Sequence, residues 1–120
     1  MAKIMTVDDS VSLRKLVASA LQAAGHNVSE ADSGASALSV AQTTTFDLVI
    51  SDLNMPGMDG LTLVSQLRKL PSYRSTPILI LTTEMDPQKK QAAKAAGATG
   101  WLVKPFDPAQ LLATIRKVLD

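Results

Sequence analysis

Short apolar runs and longer stretches with helical periodicity alternate five times along the chain. The runs Lys3–Val7, Asn27–Ala31, Leu48–Ser51, Ile78–Leu81 and Gly100–Val103 read as strands. The first, third and fourth are almost continuously apolar, the pattern of parallel strands covered on both faces. Between the first two runs, Leu13, Leu16, Val17, Ala20, Leu21 and Ala24 recur at spacings of three and four, which predicts a single apolar helical stripe. Gly25 fits the position just past the end of that helix. Gly34–Ala41 predicts a second helix, rich in Ala and Ser. Leu61, Leu63, Val64, Leu67 and Leu70 carry a third, stopped by Pro71. Asp86-Pro87 opens a fourth and Gly97 closes it. Asp107-Pro108 opens a fifth as N-cap and first helical residue, with Leu111, Leu112, Ile115, Val118 and Leu119 on its buried side. The fourth helix lacks bulk: Ala92, Ala93, Ala95 and Ala96 give it little to bury, which suits a helix that shifts or one that is simply modest.

Strand–helix units with short connections predict an α/β fold, a parallel sheet with helices on both faces. The 120 residues suit a single domain spanning 1–120, with Asp120 directly after the last helix and no linker or effector segment expected. Composition then narrows the chemistry. Twelve Lys and Arg against eleven Asp and Glu leave a net charge of +1, too little for general affinity to nucleic acid. Absence of Cys excludes disulfides, thiolate nucleophiles and Cys-ligated metals, and a single His, His26, excludes a multi-His site. No apolar run approaches the ~18 residues of a membrane span, and the N-terminus turns acidic too early for a signal peptide. These features predict a soluble cytoplasmic domain.

Polar residues gather at one kind of place. Asp8 and Asp9 follow the first strand, Asp52 the third, Thr82 the fourth and Lys104 the fifth. Ligands of open parallel sheets bind at that carboxyl edge, where the winding direction reverses. Two carboxylates 4 Å apart repel by about 4 kcal/mol at an effective dielectric of 20. Lys104 offsets part of this, and a hard divalent cation would offset more. Oxygen-only ligands select Mg²⁺, Mn²⁺ or Ca²⁺, and few carboxylates plus water describe Mg²⁺ best. A carboxylate such as Asp52 is already ionised and can attack a phosphoryl group without a general base.

Thr6-Val7-Asp8-Asp9-Ser10, the segment Ser51 to Gly60, Leu81-Thr82-Thr83-Glu84 and Val103-Lys104-Pro105-Phe106 together resemble the four signature segments of response-regulator receiver domains. Any one of them arises often by chance; all four, in order and on a fivefold strand–helix pattern, do not. The resemblance spans the whole chain and is strongest to the single-domain, CheY-like chemotaxis form. It implies a doubly wound, five-stranded, flavodoxin-like (βα)5 sheet in the order 2-1-3-4-5, an order that belongs to the architecture and that no residue spacing derives. It implies Asp52 as phospho-acceptor. Mg²⁺ would be held by Asp9 and Asp52 directly, by Asp8 through water and by the Asn54 backbone carbonyl. The Asn54 and Thr83 backbone N–H groups and Lys104 would bind the phosphoryl oxygens, with Thr82 as the switching hydroxyl. Trp101 matches the switch aromatic, usually Tyr or Phe, and Thr83 stands where a smaller residue is common. Lys104-Pro105 matches the family's cis peptide. The implied partners are a sensor histidine kinase as donor and a downstream protein such as a flagellar motor switch protein, or a phosphatase. No nucleic acid or membrane partner is expected, and the chain should act as a monomer.

Other readings compete at single positions. Asp8-Asp9 alone fits a solvated strand end, Glu84 a solvated loop charge, the Lys89, Lys90 and Lys94 stretch a solvated helix face, His26 a helix-end residue and Trp101 packing. An aspartyl-nucleophile phosphatase of the haloacid dehalogenase type would place a second Asp two residues after Asp52, where Asn54 cannot transfer protons. A flavodoxin would need a phosphate cradle after the first strand, where Asp8 and Asp9 would repel the flavin phosphate. A phosphate sink that drains a shared kinase would look the same as a motor regulator.

Overall fold

The computed structural model describes residues 2–119; Met1 and Asp120, the ends of the expected 1–120 domain, lie outside the described residues. Five strands form one parallel sheet: β1 (Lys3–Val7), β2 (Asn27–Ala31), β3 (Leu48–Ser51), β4 (Ile78–Thr82) and β5 (Gly100–Val103), in spatial order β2-β1-β3-β4-β5. Each is followed by a helix: α1 (Val11–Ala23), α2 (Gly34–Thr43), α3 (Gly60–Lys69), α4 (Pro87–Ala96) and α5 (Pro108–Leu119).

The period of two along each strand divides the core. Met5, Val7, Val49, Ile78 and Ile80 join Ala37 and Ala41 of α2, Leu63, Val64 and Leu67 of α3, and Ala93 of α4. Ile4, Leu48, Ile50, Leu79 and Leu81 join Val17 and Leu21 of α1 and Leu111 and Ile115 of α5 on the other face. Three helices cover one face and two the other, so the winding direction reverses between β1 and β3, beside which the site lies.

The elements follow the sequence pattern with several adjustments, among them that Ala24, assigned to the stripe of α1, is its exposed C-cap. Thr82 is the last residue of β4 and fully buried, where the pattern put the strand end at Leu81. Helix α2 continues to Thr43, because Ala41 still packs on the core and the Thr43 hydroxyl donates back to the Val40 carbonyl at 3.1 Å. Pro71 does more than stop α3: it opens a 3-10 turn, Pro71–Tyr73, that buries Tyr73. The Tyr73 hydroxyl donates to Thr44 O (2.6 Å) and accepts from Phe46 N (3.2 Å), and burial raises its pKa. Leu16, assigned to the apolar stripe of α1, is 60% exposed, since Val17 and Leu21 already fill the sheet contact. Asp86 caps α4 and Gly97 takes φ 115° past it, as the sequence marks, while Ser10 and Asp59, not marked as caps in the sequence, accept from the first turns of α1 and α3.

Candidate functional site

Asp8 and Asp52 are the residues just past adjacent strands, and the ladder carries on to reach them. Asp8 N donates to Ala31 O (3.1 Å), and Asp52 N donates to Val7 O (2.9 Å). Both carboxylates therefore project from fixed backbone. Lys104, just past β5, is fixed in the same way by its N–H to Thr82 O (2.8 Å). Its side chain reaches across the end of β4 and places Nζ 2.9 Å from Asp8 Oδ2 and 3.1 Å from Asp52 Oδ2. The remaining oxygens also have donors: Ser10 N to Asp8 Oδ1 (2.9 Å) and Leu53 N to Asp52 Oδ1 (2.7 Å). Gly60 lets the following loop fold back over this point. A Cβ there would sit 2.3 Å from Asp52 O, and Gly60 N instead donates to Leu53 O at 2.8 Å.

Asp8 and Asp52 are buried and Asp9 is exposed, yet one oxygen of each lies within 4.8 Å of the others. Buried carboxylates without a counter-charge cost several kcal/mol each, on the order of the loss when one partner of a buried pair is removed. One ammonium serves both buried groups, so three carboxylates against one Lys104 leave the cluster at −2. All available donors are oxygens and one carboxylate faces solvent, which fits a hard divalent cation such as Mg²⁺.

Thr82, Thr83, Asn54 and Trp101 make no side-chain hydrogen bond to this cluster. Thr82 ends β4 beside it, and its hydroxyl accepts from Glu84 N at 3.2 Å. Thr83 and Asn54 are exposed on the loops after β4 and β3. The Lys104-Pro105 peptide is cis. Trp101 lies farther back on β5, opposite Ile80, half-buried against the core and lining an open groove of about 330 Å³ with Ala93, Lys94 and Ala98 of the α4 region. His26 is remote, at the opposite edge, where its Nδ1 accepts from Ala2 N.

Two charged groups read as solvated side chains lie at the surface and pair with each other. Glu84 pairs with Lys89 at 3.0 Å and also accepts from Met85 N and Asp86 N. The Lys89 bond, foremost, holds the Glu84 carboxyl below its usual range, and Glu84 raises the Lys89 ammonium in return. The sequence reading also missed Arg14, Glu30 and Arg68. Arg14 lies between the Asp8 carbonyl and Glu30. Lys15 first, then Arg14, lowers the Glu30 pKa against the opposing effect of burial. Arg68 donates to the Gly97, Tyr73 and Thr76 carbonyls, and its own burial lowers its pKa. The only sequence signal for Arg14 was its place one turn past Ser10, which says nothing of what its head group meets.

Comparison with known proteins bears on this geometry. A family model described as the response regulator receiver domain matches residues 4–116. Over 119 residues the chain is 36% identical to chemotaxis protein CheY-3 of Vibrio cholerae, covering 98% of this chain and 92% of that one. It is 34% identical to chemotaxis protein CheY of Pseudomonas aeruginosa, covering 98% and 96%. Among solved structures, Vibrio cholerae chemotaxis protein CheY4 superposes with a TM-score of 0.95 at 53% identity, covering 98% of each chain. A response regulator protein from Burkholderia multivorans gives 0.83 at 43% identity, covering 100% of this chain and 97% of that one.

Proposed function

Because the chain belongs to the response regulator receiver domain family, we propose that it is a phospho-acceptor of two-component signalling in which Asp52 takes a phosphoryl group from the phosphohistidine of a sensor kinase. The observation that carries this reading is the buried Asp8–Lys104–Asp52 bridge with Asp9 beside it at the carboxyl edge of the sheet. Asp52 Oδ attacks phosphorus, the phosphorus–nitrogen bond breaks with its electron pair staying on nitrogen, and the kinase imidazole leaves as the neutral ring because its other nitrogen already carries a proton. Asp52 needs no base, because its carboxylate is the nucleophile. Lys104 is positioned to exchange its Asp52 contact for a phosphoryl oxygen, a charge-assisted bond of the stronger kind. Bound Mg²⁺ would neutralise the phosphoryl oxygens during transfer. Asp9 and Asp52 would hold it directly, Asp8 through water and Asn54 through its carbonyl. The Asn54 and Thr83 N–H groups are available to the phosphoryl oxygens.

The product carries more negative charge beside Thr82, whose hydroxyl can turn toward it and draw the β4–α4 loop along. The response then reaches the Trp101 surface by way of α4, which buries one side chain only. Kinship with chemotaxis proteins supports a chemotactic role, with a kinase as donor and a flagellar motor switch protein or a phosphatase as target. No helix among the described residues is long and apolar enough to cross a membrane, and we read the domain as a cytoplasmic monomer.

Incubation with acetyl phosphate and Mg²⁺ tests this reading. The intact-protein mass should rise by one phosphoryl group, and a metal chelator or Asp52→Asn should abolish the rise. Lys104→Ala and Thr82→Ala should still be labelled but lose the accompanying change in Trp101 fluorescence. Labelling of Asp52→Asn equal to that of the parent would overturn the proposal.

A further inference from the structure

The acidic loop is tied to a residue outside every segment that carries the family resemblance. The carbonyl oxygen of Asp8, which belongs to the Asp8–Asp9 peptide unit, accepts from Arg14 Nη1 at 2.7 Å. Arg14 Nε donates to Glu30 Oε1 on β2 at 3.0 Å, and Lys15 binds the other Glu30 oxygen at 3.0 Å. The Arg14 side chain is 11% exposed, as closed in as Lys104, whereas Lys15 is 64% exposed. A planar guanidinium held at Nε by a carboxylate has its remaining N–H directions set, so Glu30 aims Arg14.

Asp8 is thus fixed through four atoms by four partners: its N–H by Ala31, its two carboxylate oxygens by Ser10 and Lys104, and its carbonyl by Arg14. Asp9 is exposed and, among the described residues, forms no ion pair. The direction of its carboxylate therefore depends on the peptide plane before it, and that plane is what Arg14 grips. We propose that Arg14, aimed by Glu30, is a positioning residue for the metal-binding loop, holding the Asp8–Asp9 peptide so that the Asp9 carboxylate is ready for Mg²⁺. The proposal rests on the Mg²⁺ reading given above. Its physical basis is pre-organisation: a loop already in its binding geometry loses less freedom when the ion arrives. Partners that orient metal ligands from behind contribute about 10- to 100-fold in affinity.

Charge alone predicts the opposite sign. Arg14 is a cation near a cation site, so deleting its charge should tighten Mg²⁺ if electrostatics were its whole effect. The experiment is calorimetric titration of Mg²⁺ into the parent, Arg14→Met, Arg14→Lys, Glu30→Gln and Asp9→Asn, with amide exchange at Asp9 and Ser10 followed in the metal-free proteins. Arg14→Met should weaken Mg²⁺ binding about tenfold or more and speed exchange at both amides. Arg14→Lys keeps the charge and loses the fork, so it should weaken binding similarly, and Glu30→Gln less. Equal or tighter binding by Arg14→Met overturns the proposal. Should that variant fail to fold, parent-like affinity in Arg14→Lys overturns it instead. If Asp9→Asn binds Mg²⁺ as the parent does, or the parent does not bind at all, the metal reading fails and takes this inference with it. Loss in Asp9→Asn with no loss in the Arg14 variants defeats the inference alone.

Discussion

Helices α3 and α4 are both ten residues long and lie side by side on the same face of the sheet, yet they are held by different means. Helix α3 buries Gly60, Leu63, Val64 and Leu67. Helix α4 buries Ala93 alone, with Ala96 partly covered, and an open groove of about 330 Å³ runs along it to Trp101. What α4 lacks in apolar contact it has in polar clips at its ends. Asp86 caps its first turn from a side-chain oxygen 2.9 Å from Gln88 N, while Glu84 bridges the preceding loop to Lys89. At the other end Arg68 grips the Gly97 carbonyl through two nitrogens at 2.7 and 3.1 Å. Buried leucines fix a helix throughout its length, because any displacement opens a void. End clips fix position only while their few bonds persist, and each is modest in water. One face of one sheet thus carries a helix held along its length beside the β3 loop and one held chiefly at its ends beside the β4 loop, and Thr82 and Glu84 sit just before the second.

The contrast is sharpest for side-chain truncation. Leu63→Ala should cost about 2–5 kcal/mol in denaturant unfolding, as buried leucines do when little can collapse into the space. Truncating Gln91 or Lys94 on α4 should leave the denaturant midpoint nearly unchanged. If the two helices respond alike, the distinction between core-held and clip-held is wrong.

A smaller effect should follow from the caps. Asp86→Ala removes the acceptor for Gln88 N and should cost about 1 kcal/mol. Its signature is local: amide exchange should accelerate in α4 and remain slow in α3. Uniform acceleration across both helices would mean that α4 does not open on its own.

The smallest effect is that of acid. The Glu84 carboxyl lies below its ordinary value of 4.5 because Lys89 and the Asp86 N–H bind its charged form. A carboxyl with a lowered folded-state pKa contributes stability that is complete above its unfolded value and is lost as the pH falls through the folded one. Opening of α4 should therefore increase below about pH 4.5, and Glu84→Gln should flatten that local response. Amide exchange of α4 over this range is the measurement, and an acid response that survives Glu84→Gln would show that the Glu84–Lys89 pair does not hold α4. The group is largely in solvent, so salt should also diminish the effect.

Much of this molecule is legible in its sequence, for reasons local to the chain. Strand and helix positions follow from the change in apolar period, and helix ends from Asp86, Asp107, Gly25 and Gly97, since caps and left-handed glycines act within a few residues. The scarcity of buried side chains on α4 is visible in its alanines. Asp8, Asp9, Asp52, Thr82 and Lys104 could be placed together because each ends a strand and parallel strands end on one edge. The rest required the third dimension. Strand order, which puts β1 beside β3, is not a property of any strand by itself. The sharing of one ammonium by Asp8 and Asp52 depends on Lys104 reaching over β4, and the grip of Arg14 on the Asp8 carbonyl depends on Glu30 arriving from β2. Leu16 shows the same limit from the apolar side: helical spacing assigns it to the stripe, but the width of the sheet contact leaves it in water. Periodicity states which faces prefer burial; which polar heads meet, and which apolar residues are left over, is decided by distances between segments far apart in the chain.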